Sequence, residues 1–268
     1  MPKPPVIVLG TFQSDQFNAA LSDYRVGLQQ SWHRHEQPIL TLILSGYARE
    51  QVGCRESASS PLQVGLKPAG LRHTDHFGPR GVRALRILFS PSFLSELRSE
   101  LGSELQMIER WDWITGSKAV RPLLRLAHHL RQGTPDNTEV TEHIYESLAG
   151  LLPPLPTRCT AEAPSWLCQA REQLDASYAS GIRLTQLARE ANVHPVYFAR
   201  QFRRFFGCSV GRYVRQLQFR ATVTLLAEQQ ANLAQIAYAT GFSDQAHLTR
   251  TFASEFGITP GQFRRLVR

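Results

Sequence analysis

The stretch LAQIAYATGFSDQAHLTRTFASEFG, residues 233–257, repeats LTQLAREANVHPVYFARQFRRFFG, residues 184–207, with one residue added. Leu184, Gln186, Ala188 and Val193 recur 49 positions later as Leu233, Gln235, Ala237 and Phe242; Arg200, Phe202, Phe206 and Gly207 recur 50 positions later as Arg250, Phe252, Phe256 and Gly257. The extra residue therefore falls in the middle of the second copy. A repeat of fixed period marks a repeated supersecondary unit. In the second copy Leu233, Ile236, Ala237 and Tyr238 are expected to form the buried face of a short helix. Gly241 follows where a left-handed cap is wanted, Phe242 plugs the angle, and Ser243 or Asp244 can accept from the free N–H groups of a second helix. That helix, Gln245–Phe256, turns Leu248, Phe252 and Phe256 inward and Thr249 and Arg250 outward. The first copy has Asn192 as its turn residue, His194 near the cap, Pro195 at the tolerated first helical position, and Phe198, Phe202 and Phe206 inward. A short helix, a tight turn and a second helix with a polar outer stripe is the arrangement that sets a recognition helix in the major groove. The alternative at this point is a helical bundle whose paired helices only pack on each other.

Charge favours the groove. Residues 166–268 hold thirteen arginines, no lysine and six acidic residues, a net of +7, whereas the whole chain is +8. A phosphate-binding surface requires such segregation and a merely solvated face does not. Arg203 and Arg204 end the second helix of the first copy, Arg212, Arg215 and Arg220 lie on the connecting segment, and Arg264, Arg265 and Arg268 follow the second copy.

The segment IAYATGFSDQAHLTRTFASEFGITPGQFRR (residues 236–265) resembles the signature of the AraC/XylS family of transcriptional regulators through Ile236, Ala237, Gly241, Phe242, Arg250, Phe252, Phe256, Gly257, Thr259, Pro260, Phe263 and Arg264. The match runs back through Tyr213, Arg220, Ala221 and Leu225. It implies two helix-turn-helix subdomains joined by a long helix, with both recognition helices in successive major grooves about 34 Å apart. Carried over by position, the base-facing residues are Val196, Ala199 and Arg200 on the first helix and Gln245, Ala246, Thr249 and Arg250 on the second. Either arginine can fork onto a guanine and Gln245 onto an adenine, whereas Val196 and the alanines can only touch thymine methyls or leave space. Arg203, Arg204, Arg212, Arg264 and Arg265 are the phosphate candidates. Arg250 has a second option, pairing with a phosphate or with Asp244.

The remainder of the 268-residue chain is long enough for another domain. It opens MPKPPV without a charged start and apolar run, and it holds no eighteen consecutive apolar residues, so neither export nor membrane spanning is expected. Cys54, Cys159, Cys168 and Cys208 have no paired spacing, which suits reduced thiols in a cytoplasm rather than a disulfide framework or zinc site; the resemblance implies a bacterial one, and a nucleoid-associated protein. Up to about residue 90 the runs VIVLG, YRVGLQQS, ILTLIL, YAREQVG, LQVGLKP and RALRILF read as short strands, and no helical run interrupts them, so a small antiparallel barrel or jelly roll is expected. From Ser92 the pattern turns helical. The expected plan is an all-β barrel over residues 1–90, a helical extension over 91–151 that offers a dimer surface, a Pro-rich linker over 152–165, and an all-α domain over 166–268.

Within the barrel, WHRHEQPILTLILSG and VGLKPAGLRHTDHF resemble the two motifs of the cupin superfamily, with His33, His35 and His73 at the positions of three metal-ligating histidines. The acidic ligand of that pattern is missing, since Ile39 or Leu40 occupies its place, and Phe77 stands where the second motif usually has Asn. Regulators with this barrel often keep it as a sensor without catalysis. The expectation is therefore a small-molecule effector pocket lined by His33, His35 and His73, with Trp32, Asp75 and His76 nearby; the alternative use of the three histidines is a bound metal, and no cofactor is required. The combined reading is a sequence-specific regulator that is not an enzyme, binds double-stranded DNA at a promoter or operator, responds to an effector, forms a homodimer, and engages RNA polymerase if it activates. The rival readings are a metal-dependent cupin enzyme with an accessory DNA-binding domain, and a non-specific architectural protein that binds phosphates alone.

Overall fold

Alternation of apolar and polar residues, broken by Gly, Pro and Asn, folds the front of the chain into antiparallel strands. The computed structural model describes residues 4–101, 110–115, 118–133, 137–151, 163–181, 184–228 and 231–268. Eight strands form one sheet: β1 Val6–Gln13, β2 Phe17–Tyr24, β3 Gln29–His33, β4 Ile39–Val52, β5 Arg55–Ser59, β6 Gln63–Lys67, β7 His73–Phe89 and β8 Asp112–Thr115. Their order is β1-β2-β7-β4-β6-β8, with β3 also on β7 and β5 also on β4. Side chains from β2 to β8 line one interior, so the sheet wraps upon itself as a barrel.

Several strands depart from the sequence pattern: β5 falls in no expected run and pairs with β4, and β7 begins ten residues before RALRILF. The run YRVGLQQS is a turn followed by β3, with Leu28 N–H donating to the Arg25 carbonyl at 3.1 Å. The strand before it, β2, consists largely of weak β-formers, and continuous pairing with β7 from Phe17–Phe89 to Tyr24–Val82 imposes its conformation. β8 lies inside the stretch that reads as helical and pairs with β6 through Gly65–Trp113.

ILTLIL and YAREQVG are one strand, β4, whose pairing with β7 shifts register on either side of Ser45–Gly46. Gly46 has φ +77° and faces Gly81, at φ +71°. A Cβ on Gly46 would collide with the Gly81 carbonyl. This irregularity reverses which residues of both strands point inward.

Among the described residues three helices follow within this region, α1 Pro91–Leu101, α2 Val120–Gln132 and α3 Asn137–Leu151. On α2 the buried Leu123, Leu124, Leu126, Ala127 and Leu130 form one apolar stripe, which packs on α3 and β1. Seven further helices are α4 Ser165–Ser177, α5 Leu184–Glu190, α6 Pro195–Phe206, α7 Val210–Glu228, α8 Leu233–Ala239, α9 Gln245–Phe256 and α10 Pro260–Val267. Most of the Pro-rich segment expected as the linker, residues 152–162, lies outside the described residues, as does Cys159. No helix among the described residues is long and apolar enough to cross a membrane.

The chain divides into two compact units, residues 1–153 with 252–268, and residues 154–251. In the first, α10 packs on α2. Arg83 of β7, 7% exposed, makes a fork onto Asp23, with Nη2 to Oδ2 at 2.6 Å, and its Nη1 donates to the Leu266 carbonyl at 2.7 Å. In the second, Leu167, Leu174, Leu187, Ala188, Phe198, Phe202 and Val210 form a core shared by α4, α5, α6 and α7.

Candidate nucleic-acid interface and barrel pocket

The offset between the repeats is reproduced in the helices. α5 and α8 start 49 residues apart and α6 and α9 start 50 apart, so the added residue lies in the turn. Asn192 adopts φ +52° and Gly241 φ +80° at the two corners. Phe242 is buried, 5.8 Å from the Phe219 ring and beneath the Arg215 guanidinium. The His194 side chain accepts from Val196 N–H at the start of α6, and Asp244 accepts from His247 N–H at 2.6 Å at the start of α9. That hydrogen bond, foremost, holds the Asp244 carboxyl below the usual carboxylate range, so the cap is anionic at neutral pH.

These caps fix which faces the second helices bury. Phe198, Phe202, Leu248, Phe252 and Phe256 point inward, and Phe206 is half-buried. On the outer side of α6, Val196 is 70% exposed, Arg200 is exposed and Ala199 is half-buried. On α9, Gln245, Ala246 and Arg250 are exposed and Thr249 is half-buried. Tyr197 is a further exposed side chain beside the α6 stripe that the repeat comparison passes over, since its counterpart in the second copy is His247. Among the phosphate candidates Arg203, Arg204, Arg212 and Arg265 are exposed, whereas Arg264 is half-buried and burial lowers its pKa. Tyr238, expected on the buried face of α8, is 87% exposed. Leu233, Ile236 and Ala237 fall within about 100° of one another on a 3.6-residue helix, and the next residue turns away.

The barrel interior holds a cavity with about 410 Å³ of empty space, its mouth included, lined by Tyr24, Gln30, Thr41, Glu50, Lys67, Asp75, Arg86 and Trp113 among others. Its polar groups are paired in two sets. Lys67 Nζ lies 2.7 Å from Glu50 Oε1 and 3.2 Å from Asp75 Oδ1. Glu50 Oε2 also accepts from Trp111 Nε1 at 2.7 Å and from Trp113 Nε1 at 3.2 Å. Arg86 donates to the Tyr24 hydroxyl at 2.9 Å and to His35 Nε2 at 3.2 Å.

The three histidines come together beside this cavity, with ring centroids 4.3 Å apart for His33 and His73, 4.9 Å for His33 and His35 and 5.2 Å for His35 and His73. Burial, with the Arg86 charge second, pushes His35 down to about 3, and burial likewise lowers His73; both rings are neutral at pH 7. Asp75 Oδ2 lies 3.5 Å from His73 Nε2 and 3.8 Å from His33 Nε2. A carboxylate thus joins the cluster, but from β7 and not from the position after His35, where Ile39 and Leu40 are core residues 1% and 0% exposed. Trp32 and His76 do not line the cavity: Trp32 is 42% exposed under the Arg72 guanidinium, and exposed His76 follows Asp75 onto the opposite face of the strand. Glu50, Lys67 and Arg86 carry no motif. Charged residues at inward parity in otherwise apolar strands are their only signal, and the Gly46–Gly81 irregularity scrambles that parity for Glu50 and Arg86.

Comparison with known proteins yields the following. A family model described as a helix-turn-helix domain matches residues 187–266. The probable transcription factor PqrA of Proteus vulgaris is 34% identical over 84 residues, covering 31% of this chain and 69% of that protein. The Msm operon regulatory protein of Streptococcus mutans is 26% identical over 129 residues, covering 47% of this chain and 46% of its own. The structure of ToxT from Vibrio cholerae covers 94% of this chain and 99% of that one at 11% identity, with a TM-score of 0.38. The chain thus spans about two thirds of the length of the first of these relatives and about half of the second.

Proposed function

Because the chain belongs to the AraC/XylS family of transcriptional regulators, we propose that it binds specific double-stranded DNA sites and regulates transcription under the control of a small molecule held in its barrel. One observation carries the DNA-binding part: each repeat ends in a capped helix that buries Phe198 and Phe202, or Leu248 and Phe252, and leaves an outer stripe open. In this reading Arg200 and Arg250 fork onto guanine O6 and N7, Gln245 pairs with adenine, and Val196, Ala199, Ala246 and Thr249 set shape and methyl contacts. Arg203, Arg204, Arg212 and Arg265 hold phosphates, with half-buried Arg264 the weakest of the set. Residues 1–151 sense and residues 166–268 bind DNA. The barrel senses without carrying out a reaction, and its effector shifts the regulator only by the difference in its affinity for two arrangements. A homodimer would present four recognition helices, an activator would also engage RNA polymerase, and the site of action is the bacterial cytoplasm.

Selection from a random duplex pool with full-length protein at near-physiological salt tests the reading. The expected result is two sequence blocks about one helical turn apart; no enriched sequence, with or without barrel ligands, overturns it. Two substitutions separate base reading from phosphate binding. Arg250→Ala loses about 1–3 kcal/mol at one position of the recovered site. Arg204→Ala weakens binding to all sequences and lowers the salt slope by about 1. Equal, sequence-independent losses for both would favour the architectural reading instead.

A further inference from the structure

The charges that line the barrel cavity balance, but they are unevenly spread. Glu50 and Asp75 stand against Lys67 and Arg86. Lys67 takes both carboxylates. Half-buried Arg86 is left with neutral partners alone among the described residues, the Tyr24 hydroxyl at 2.9 Å and His35 Nε2 at 3.2 Å. A guanidinium has five N–H groups, and these contacts use only part of them. The Tyr24 hydroxyl accepts from Arg86 and keeps a hydrogen of its own, with no acceptor for it among the described residues. Arg86 and Tyr24 therefore make a donor pole that carries an uncompensated positive charge.

An acceptor pole lies opposite. His73 Nδ1 is 2.9 Å from the Leu71 carbonyl. A carbonyl only accepts, so the neutral ring holds its hydrogen there and presents Nε2 as an acceptor. That Nε2 is buried and meets no hydrogen-bond partner among the described residues. What faces it is another acceptor, Asp75 Oδ2, at 3.5 Å, while Lys67 engages the other oxygen, Oδ1. Buried acceptors turned toward each other destabilise a fold until a donor joins them. One ring stands between the poles. His35 accepts from Arg86, and its centroid lies 5.2 Å from that of His73, the scale of a small amino acid. The wall between them is apolar, formed by Ile43, Phe77, Val82 and Ala84, with Phe77 stacked on the Tyr24 ring at 4.5 Å.

We propose that the cavity binds a small amino-acid zwitterion, its carboxylate on Arg86 and the Tyr24 hydroxyl, its ammonium on Asp75 Oδ2 and His73 Nε2, and its carbon skeleton against Phe77 and Ile43. A plain organic acid or a plain amine would answer one pole and upset the balance of charge in a poorly solvated interior. A zwitterion adds no net charge. An uncharged polyol also adds none, but it makes weaker hydrogen bonds at each end than charged partners do. The regulatory meaning of this ligand rests on the sensing role proposed above; its binding does not.

The test is calorimetric titration of the full-length protein with glycine, β-alanine, γ-aminobutyrate, ε-aminocaproate and L-phenylalanine. At least one is expected to bind. Its N-acetyl and carboxamide derivatives should each bind at least about 10-fold more weakly, the scale of a lost charge-assisted hydrogen bond. Two variants assign the ends. In Arg86→Met the carboxamide should bind as well as the free amino acid while the N-acetyl form still loses; in Asp75→Asn the two derivatives should exchange these roles. Tyr24→Phe removes a single hydroxyl and should weaken the amino acid by about 3–10-fold, which keeps the test decisive if the Arg86 variant does not fold. No binding by any of the amino acids at about 10 mM overturns the proposal. So do blocked derivatives that bind as well as the free amino acid, tighter binding of D-glucose or D-xylose, or parental affinity in Tyr24→Phe. The duplex selection described above is independent of this titration. A recovered DNA site without amino-acid binding removes the ligand and keeps the regulator, and the converse removes the regulator and keeps the ligand.

Discussion

Replacing Phe252 with alanine should lower the stability of the helices around it by about 3–5 kcal/mol. The side chain is 0% exposed. Its ring lies 4.6 Å from that of Phe256 and 5.7 Å from that of Phe263, both at steep angles, so it joins α9 to α10. Truncation removes one of the larger apolar surfaces in the chain and leaves a void its rigid aromatic neighbours fill poorly. Phe252→Leu, which keeps most of the volume, should lose less. Urea unfolding followed by circular dichroism reads the difference as a lower midpoint at an unchanged slope. If the alanine variant unfolds at the parent's midpoint, the inward face assigned to α9 is wrong.

Gly241→Val should be comparably damaging, for reasons in which burial plays no part. At φ +80° a β-branched residue is strained whatever surrounds it. Its Cβ would also lie 2.9 Å from both Ala179 Cα and Gln218 Nε2, and that same amide donates to the Gly241 carbonyl at 3.1 Å. Ala179 is backbone in a tight turn and cannot move aside as a side-chain tip would. Strain of about 1–3 kcal/mol and overpacking of about 1–3 kcal/mol together predict a loss of roughly 2–6 kcal/mol. Gly241→Ala should lose less, since it lacks the branch. Thermal melting and operator binding should both fall for the valine variant; an unaltered melting temperature would contradict the left-handed corner.

The C-terminal repeats were legible in the sequence because their geometry is set locally. Asn192, Gly241, Pro195 and the spaced phenylalanines each act within one or two turns of themselves, and the two-copy comparison alone puts the added residue in the middle of the second copy. Tyr238 departs from that pattern because it neighbours Ile236 and Ala237 in sequence but turns about 100° beyond Ala237, off their shared face. The barrel was legible as a class of fold but not strand by strand. β2 is held by β7 and β8 by β6, and pairing partners so distant leave no mark in a local pattern. The histidines were found through their motif spacing. Their carboxylate is expected just after His35 and instead lies on β7, two residues beyond His73 and beside β3. Glu50, Lys67 and Arg86 required the register reversal at Gly46 and Gly81, which no periodicity count reveals.

The hydrogen bond from Arg83 to the Leu266 carbonyl joins residues 183 positions apart. During synthesis at about 5–20 residues per second, Leu266 is added roughly 10–40 s after Arg83. For that interval β2 and β7 can already have paired, and Asp23 can neutralise the guanidinium, but the donor aimed at Leu266 has only water. The barrel is thus translated well before its last partner, and a ribosome that stalls before α10 releases a chain with that face of β7 uncovered.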